Sequence, residues 1–381
     1  MERSASMARD RARHRPALDG LRGVAVLAVL LYHARVPFVR GGHVGVDVFF
    51  VLSGFLITTL LVAEIDTAGR VDVLAFYVRR ALRLLPALLL FVAVCCLLVV
   101  TIGPNVYRTP TLHGAPYVLS YLANVHQAFG WDGGRLGLFD ATWSLSMEEQ
   151  FYLLWPVVLV ALLVLVRHRR QHAALLLFGI SLAIGLHRLW LAFGGAGWER
   201  LSYAPDVRAD GLLIGCALAL FLASPSARSP RWLPAAGVVS LLVLAVIGSR
   251  YPGNDPFLFW DLGATIVVLA AGCMLWTLVS GTSPRLDAIF SWRPLRSTGR
   301  ISYGLYLWHF PIVFALGAAG AWAWGWWVSA PIAIGLSYVA AAFSFALVER
   351  RFLRWKASWS PRARSERAEA RLGLRPSTSR G

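Results

Sequence analysis

Apolar residues in this chain run together in stretches too long for one face of an element, and polar residues collect between them. Ten such stretches are read at residues 23–40, 44–63, 83–102, 146–166, 173–193, 209–223, 233–249, 257–279, 301–318 and 326–347. Each approaches the roughly 20 residues with which an α-helix crosses about 30 Å of hydrocarbon. A segment in lipid must satisfy its backbone internally, so each stretch is read as a helix. The expected fold is all-α: a polytopic membrane protein of about ten transmembrane helices around a polar cavity. The fifth to seventh spans have soft edges.

Composition supports the bilayer as solvent. The 381 residues are 57% hydrophobic and 15% charged, where a soluble domain carries about a quarter charged. A net charge of +17 would suit nucleic acid, but its placement argues otherwise. Basic residues gather in the N-terminal tail, the Arg70 to Arg83 loop, Arg167 to Arg170, Arg228 and Arg231, Arg285 to Arg300, and the C-terminal tail. With alternating spans these all fall on one side, as Lys and Arg do in cytoplasmic loops. An even span count and cytoplasmic N- and C-termini follow, in a multi-pass protein of the cell membrane. Residues 1–17 and 356–381 read as disordered basic cytoplasmic tails flanking a transmembrane domain over 18–355, and no cleavable signal peptide is expected. Cys95, Cys96, Cys216 and Cys273 sit in apolar runs without metal-ligand spacing, so neither a metal site nor a permanently bound cofactor is expected.

Ionisable residues inside spans are expensive, about 2.5 to 3.5 kcal/mol each at mid-bilayer on insertion scales, and so are candidates for function. Arg22 and His33 are eleven residues apart in the first span, nearly on one helical face and roughly 16 Å apart along the axis. Arg22 is placed at the cytoplasmic start and His33 near the midplane, where an imidazole can serve as general base or sit hydrogen-bonded between helices. Asp47, in a glycine-rich run from Gly41 to Phe55, can orient His33 or cap the second span. Arg80 and Arg83 share a helical face and suit a phosphate, or else mark topology. The fourth span opens Trp143, Ser144, Leu145, Ser146, Met147, Glu148, Glu149, Gln150, Phe151, Tyr152. Ser144, Glu148 and Tyr152 recur at every fourth position, so one Glu can enter a cavity while its neighbour turns about 100° away. Asp206, Arg208 and Asp210 enter the sixth span, where they can bind a sugar or form a structural ion pair. In the ninth span Ser302, Tyr306 and His309 line one stripe, and with Tyr303 and Trp308 this cluster can form a polar patch between helices, an acyl-chain wall or a second catalytic group.

In order along residues 18 to 352, Arg22 with His33, the Gly41 to Phe55 run, Arg80 with Arg83, the Trp143 to Tyr152 run, the Tyr303 to Pro311 run and Val348 to Phe352 resemble the acyltransferase 3 family of bacterial membrane O-acyltransferases. The resemblance implies transfer of an acetyl or other short acyl group from cytoplasmic acyl-CoA, as donor substrate, to a hydroxyl of a carbohydrate, glycolipid or secondary metabolite. It makes the residue matching His33 catalytic and links those matching Arg22, Arg80 and Arg83 to the donor. Some relatives carry an extracytoplasmic SGNH-type esterase domain, and for this chain the expectation is a separate esterase-type partner for any later transfer step, or none. Glu148 or Glu149 is expected to orient His33, although simple helix lengths put Glu148 near the outer surface. Whether His33 deprotonates the acceptor or relays the acyl group stays open. The rival reading is a secondary transporter or flippase, which predicts two repeated halves; residues 1–190 and 191–350 show no such similarity.

Overall fold

A computed structural model describes residues 15–103, 105–130, 133–225, 227–252 and 262–357. Among them, eight helices are long and apolar enough to cross a membrane, and nine if one sharply bent pair counts as a span. The protein is an all-α polytopic membrane protein. The expected tails lie almost wholly outside the described residues, as does the start of the 257–279 span.

The first helix, α1 (Pro16–His33), begins with proline at its first position, where the missing N–H costs nothing, and stops before Arg35 at φ 60° and Pro37. This corrects the sequence reading. Arg22 lies about 9 Å inside the helix and His33 is its last residue. The shift arises because residues 16–22, polar enough to read as loop, have a helical partner in α14 (Arg293–Arg300), described below. A short 3₁₀ turn (Gly42–Val44) leads into α2 (Gly45–Ala68), closed by Gly69 at φ +71°. Asp72 then caps α3 (Val73–Thr101), its side chain accepting from the Ala75 N–H at 2.9 Å.

Between the third and fourth spans the chain forms α4 (Asn105–Leu119), α5 (Ala123–Phe129) and a 3₁₀ segment (Gly137–Thr142), elements with no clear apolar signature. The 3₁₀ segment runs into α6 (Trp143–Leu165), so the fourth span begins at Gly137 and Glu148 lies well inside it. Next come α7 (Arg170–Phe193), α8 (Trp198–Tyr203), α9 (Pro205–Arg208) and α10 (Asp210–Leu222), the last a buried apolar helix of 13 residues. The chain continues through α11 (Leu233–Arg250), α12 (Gly263–Ser280) and α13 (Pro284–Phe290).

The ninth expected span, 301–318, is α15 (Ser302–Ala318), and it is preceded by α14 (Arg293–Arg300), which meets it at 77° across Ile301. Helix α14 lies against the start of α1 at backbone contact. A Cβ on Gly299 would lie 1.8 Å from the Asp19 carbonyl oxygen, and one on Gly23 would lie 2.1 Å from that of Leu295. Lipid tails are as apolar as leucine, so helices in membranes associate through such close packing of small residues. The last span, α16 (Trp326–Ser344), passes through one π-helical turn (Phe345–Glu349) into α17 (Arg350–Ala357). Helices α1, α2, α3 and α15 pack around Val26, Val29, Phe50, Leu88, Phe91 and Leu305, while Leu153, Leu154 and Val157 of α6 face outward as lipid-facing residues do.

Candidate active site

A cleft of about 420 Å³ of atom-free space opens between α1, α2, α6 and α15. Its polar lining is Arg22, Ser53, Ser144, Glu148, Ser302, Tyr303 and Tyr306, with Val46, Phe49 and Leu145 as apolar wall. Six of the residues singled out from the sequence, namely Arg22, Ser144, Glu148, Ser302, Tyr303 and Tyr306, thus meet in one place.

The two adjacent acids separate as helix geometry demands. Glu148 enters the cleft and accepts from the Ser53 hydroxyl at 3.1 Å and the Tyr152 hydroxyl at 3.2 Å. Glu149 turns away and accepts from the Arg80 guanidinium at 2.9 Å. Arg80 also lies 3.3 Å above the centre of the Tyr152 ring, a close cation–π contact. Arg80 is therefore committed to α6, whereas Arg83, one turn on, is exposed and has no hydrogen-bond or ion-pair partner among the described contacts. Gln150 donates to Tyr121 O (2.7 Å) and Asn124 Oδ1 (2.8 Å), which fastens α6 to α5.

Tyr306 ends the cleft. Its hydroxyl donates to Ala141 O at 2.8 Å, so the Ser144 hydroxyl, 2.6 Å away, must be the donor in that second bond. Behind it the Tyr306 ring lies 5.4 Å from that of His309, and the His309 ring 4.9 Å from that of His33. Tyr303 donates to Leu84 O at 3.2 Å, joining α15 to α3.

The protonation of both imidazoles follows from their partners. His309 Nδ1 is 2.6 Å from Tyr306 O, and a carbonyl only accepts, so Nδ1 carries the hydrogen and Nε2 the lone pair. His33 Nδ1 is 3.0 Å from Val29 O and 3.2 Å from His309 Nε2, both acceptors, so His33 carries its hydrogen on Nδ1 as well. Nε2 of His33 keeps its lone pair. That is the arrangement of a general base held by its other nitrogen.

The sequence reading placed several other residues differently. Among the described residues no hydrogen bond joins His33 to Glu148 or Glu149: Glu148 faces the cleft and Glu149 faces Arg80. Asp47 neither caps α2 nor touches His33; it forms a buried ion pair with Arg208 at 2.8 Å, with side chains 5% and 2% exposed. The expected Asp206, Arg208, Asp210 grouping is likewise dispersed, because successive residues of a short helix point apart. Asp210 binds Arg188 at 3.0 Å, and the same guanidinium donates to Val207 O and Thr265 Oγ1. Asp206 stands on the surface with Arg200 at 2.5 Å and His187 at 3.0 Å. Partial burial raises the Asp206 carboxyl, and hydrogen bonds from Arg200 and His187 outweigh that and hold it below the usual carboxylate range. Trp143 meets Phe50 edge to face and Tyr203 at a tilt, with Arg208 over its face.

One polar cleft residue lay outside the sequence candidates: Ser53 stands in an apolar run without a charge to mark it, and its only signal is a four-residue spacing from Phe49. Of the stripe Ser302, Tyr306 and His309 read in the ninth span, Ser302 and Tyr306 line the cleft.

Comparison with known proteins settles the family. The acyltransferase domain of the acyltransferase 3 family matches residues 15–348. The chain belongs to this family. It is 34% identical over 312 residues to the peptidoglycan O-acetyltransferase OatA of Listeria monocytogenes, covering 78% of this chain and 49% of that protein. It is 32% identical over 311 residues to the O-acetyltransferase OatA of Staphylococcus aureus, covering 79% of this chain and 51% of that protein. The chain thus spans about half the length of the curated relatives it matches. No solved structure matches it. As a member of the acyltransferase 3 family it is expected to move an acyl group, and the cleft and histidine pair are the parts of it built for polar chemistry.

Proposed function

We propose that this chain is a membrane O-acyltransferase that moves an acetyl or similarly short acyl group from cytoplasmic acyl-CoA to a hydroxyl of a cell-wall or surface carbohydrate. The observation that carries the reading is the fixed tautomer of His33, whose Nε2 lone pair is left to take a proton. His33 Nε2 removes the acceptor's hydroxyl proton as the oxygen attacks the thioester carbonyl. The tetrahedral intermediate collapses, the C–S bond breaks, and the departing thiolate takes the proton back from His33. This direct route needs no covalent enzyme intermediate.

The donor side is read from charge. With the arginine-rich end of the bundle cytoplasmic, Arg83 is the accessible guanidinium for the phosphates of coenzyme A and Arg22 lies deeper, in the cleft. Glu148 is a cleft-lining group rather than the orienter of His33. The carbohydrate acceptor is supported by the names of the relatives, both O-acetyltransferases and one of peptidoglycan. The test is acetyl transfer from labelled acetyl-CoA by purified protein in nanodiscs, with muropeptides and simple glycans as acceptors. Uptake of labelled solute by proteoliposomes without acyl transfer would favour a transporter instead.

A further inference from the structure

Every helix begins with backbone N–H groups that lack an intrahelical acceptor. Helix α15 begins at the 77° break after α14 with Ser302 buried. No side chain caps it. The Leu305 N–H reaches Ile301 O. An independent observation points the same way: the Ser302 side chain is 1% exposed, lines the cleft, and its hydroxyl has no hydrogen-bond partner. A buried hydroxyl left unpaired would cost about 1 to 3 kcal/mol, so the cleft is short of a partner for Ser302.

The chemistry of the missing acceptor is constrained by what faces it. Glu148 and Arg22 both line the cleft, so its charges offset one another and favour a neutral polar group over a phosphate, and the guanidiniums of Arg80 and Arg83 are not part of the lining. Glu148 accepts one hydrogen bond on each oxygen and retains lone pairs, and Ser144, donating to Tyr306, keeps its own. Donors on one wall and acceptors on the other suit a secondary amide, whose C=O accepts and whose N–H donates. The position agrees. Ser302 precedes His309 by seven residues, about 10 Å along α15. That is the reach from a thioester beside the histidine pair back to the amides of a pantetheine arm, and it falls short of the diphosphate.

We infer that the start of α15, with the Ser302 hydroxyl, is a clamp for a pantetheine amide carbonyl, with Glu148 or Ser144 receiving the amide N–H. The inference rests on the thioester-donor reading above and adds the part of the donor recognised in the cleft. Recognition of the acyl-bearing arm is thereby separated from recognition of the nucleotide, which falls to the arginines of α3.

Binding to the full-length chain in nanodiscs tests the clamp, with three probes: coenzyme A, S-acetylpantetheine, and the adenosine bisphosphate half of coenzyme A. Ser302→Ala should weaken S-acetylpantetheine about 5-fold, the worth of one neutral hydrogen bond, and leave adenosine bisphosphate unchanged. Ser302→Thr, which keeps the hydroxyl, should restore most of the loss. Equal weakening of both half-ligands, or none for S-acetylpantetheine while coenzyme A still binds, overturns the clamp alone. Failure of every pantetheine-bearing probe to bind the unmodified chain overturns the donor reading and the clamp together. Binding of S-acetylpantetheine and an acetylated carrier protein, without adenosine bisphosphate, supports the clamp and moves the arm's source from coenzyme A to a carrier protein.

Discussion

His33 Nδ1 lies 3.2 Å from His309 Nε2, and backbone carbonyls at both ends of the pair make His33 the donor. One imidazole thus fixes the tautomer of the other. His309 is fully buried and neither histidine is among the residues lining the cleft, so the hydrogen bond between them gives His309 the role of positioning His33. His309→Ala leaves the Val29 carbonyl as the one described hydrogen-bond partner of His33, and a misplacement of about 1 Å can cost on the order of 100-fold in rate. We expect kcat to fall by about 10- to 100-fold with KM for acyl-CoA little changed. An equal effect on KM in steady-state kinetics would argue against positioning.

Arg83 is exposed and has no hydrogen-bond or ion-pair partner among the described residues, whereas Arg80 is held by Glu149 and Tyr152. Arg83→Ala should therefore raise KM for acetyl-CoA by about 10-fold or more, the loss of a charge-assisted contact, without lowering thermal stability. Arg80→Ala should do both, because it also leaves Glu149 without its partner. Titration of coenzyme A alongside thermal unfolding separates the two outcomes.

Asp47 and Arg208 form a pair that is nearly inaccessible, at 5% and 2% side-chain exposure. Removing one partner of such a pair typically costs about 3 to 5 kcal/mol because a charge stays buried alone. Arg208→Met should sharply lower the unfolding temperature in detergent, and the double variant Arg208→Met with Asp47→Leu should recover much of it. Absence of recovery would mean that the pair is not the coupling unit.

Asp206 makes a contribution of opposite pH character to a raised histidine. Its folded carboxyl titrates below the ordinary value of 3.8, so the stability it adds is present above that value and is lost as pH falls through the lower folded value. The stability difference between wild type and Asp206→Asn should be steady at neutral pH and shrink only in acid below 3.8. Its side chain is 46% exposed, so the difference is small and falls with salt.

Much of this was legible in the sequence, and the reasons differ by residue. Long apolar runs report their spans because lipid gives the backbone no alternative to a helix. The separation of Glu148 from Glu149 followed from the turn per residue alone. Which acid would face the cleft did not, since that depends on where α6 begins, and the 3₁₀ lead-in from Gly137 has no apolar signature. The first span was read seven residues late because Asp19 and Arg22 look like loop, and only the approach of Gly299 to the Asp19 carbonyl explains a helix there. Partners of Asp47, Asp206, Arg208 and Asp210 were illegible for a different reason: Arg188 and Arg200, which take two of the acids, lie on other helices. The helical stripe of Ser302, Tyr306 and His309 was legible from spacing, but that the Ser302 hydroxyl would be left without a partner was not, since a serine at a helix start is ordinarily a cap.

The central claim is that His33 Nε2 takes a proton from the acceptor. The direct measurement is single-turnover acetyl transfer from labelled acetyl-CoA by His33→Ala in nanodiscs, with coenzyme A binding and unfolding temperature measured on the same sample. Loss of a positioned general base should slow transfer by about 10²- to 10⁴-fold while the variant stays folded and still binds coenzyme A. Transfer within 2-fold of wild type by a folded His33→Ala protein would contradict the account.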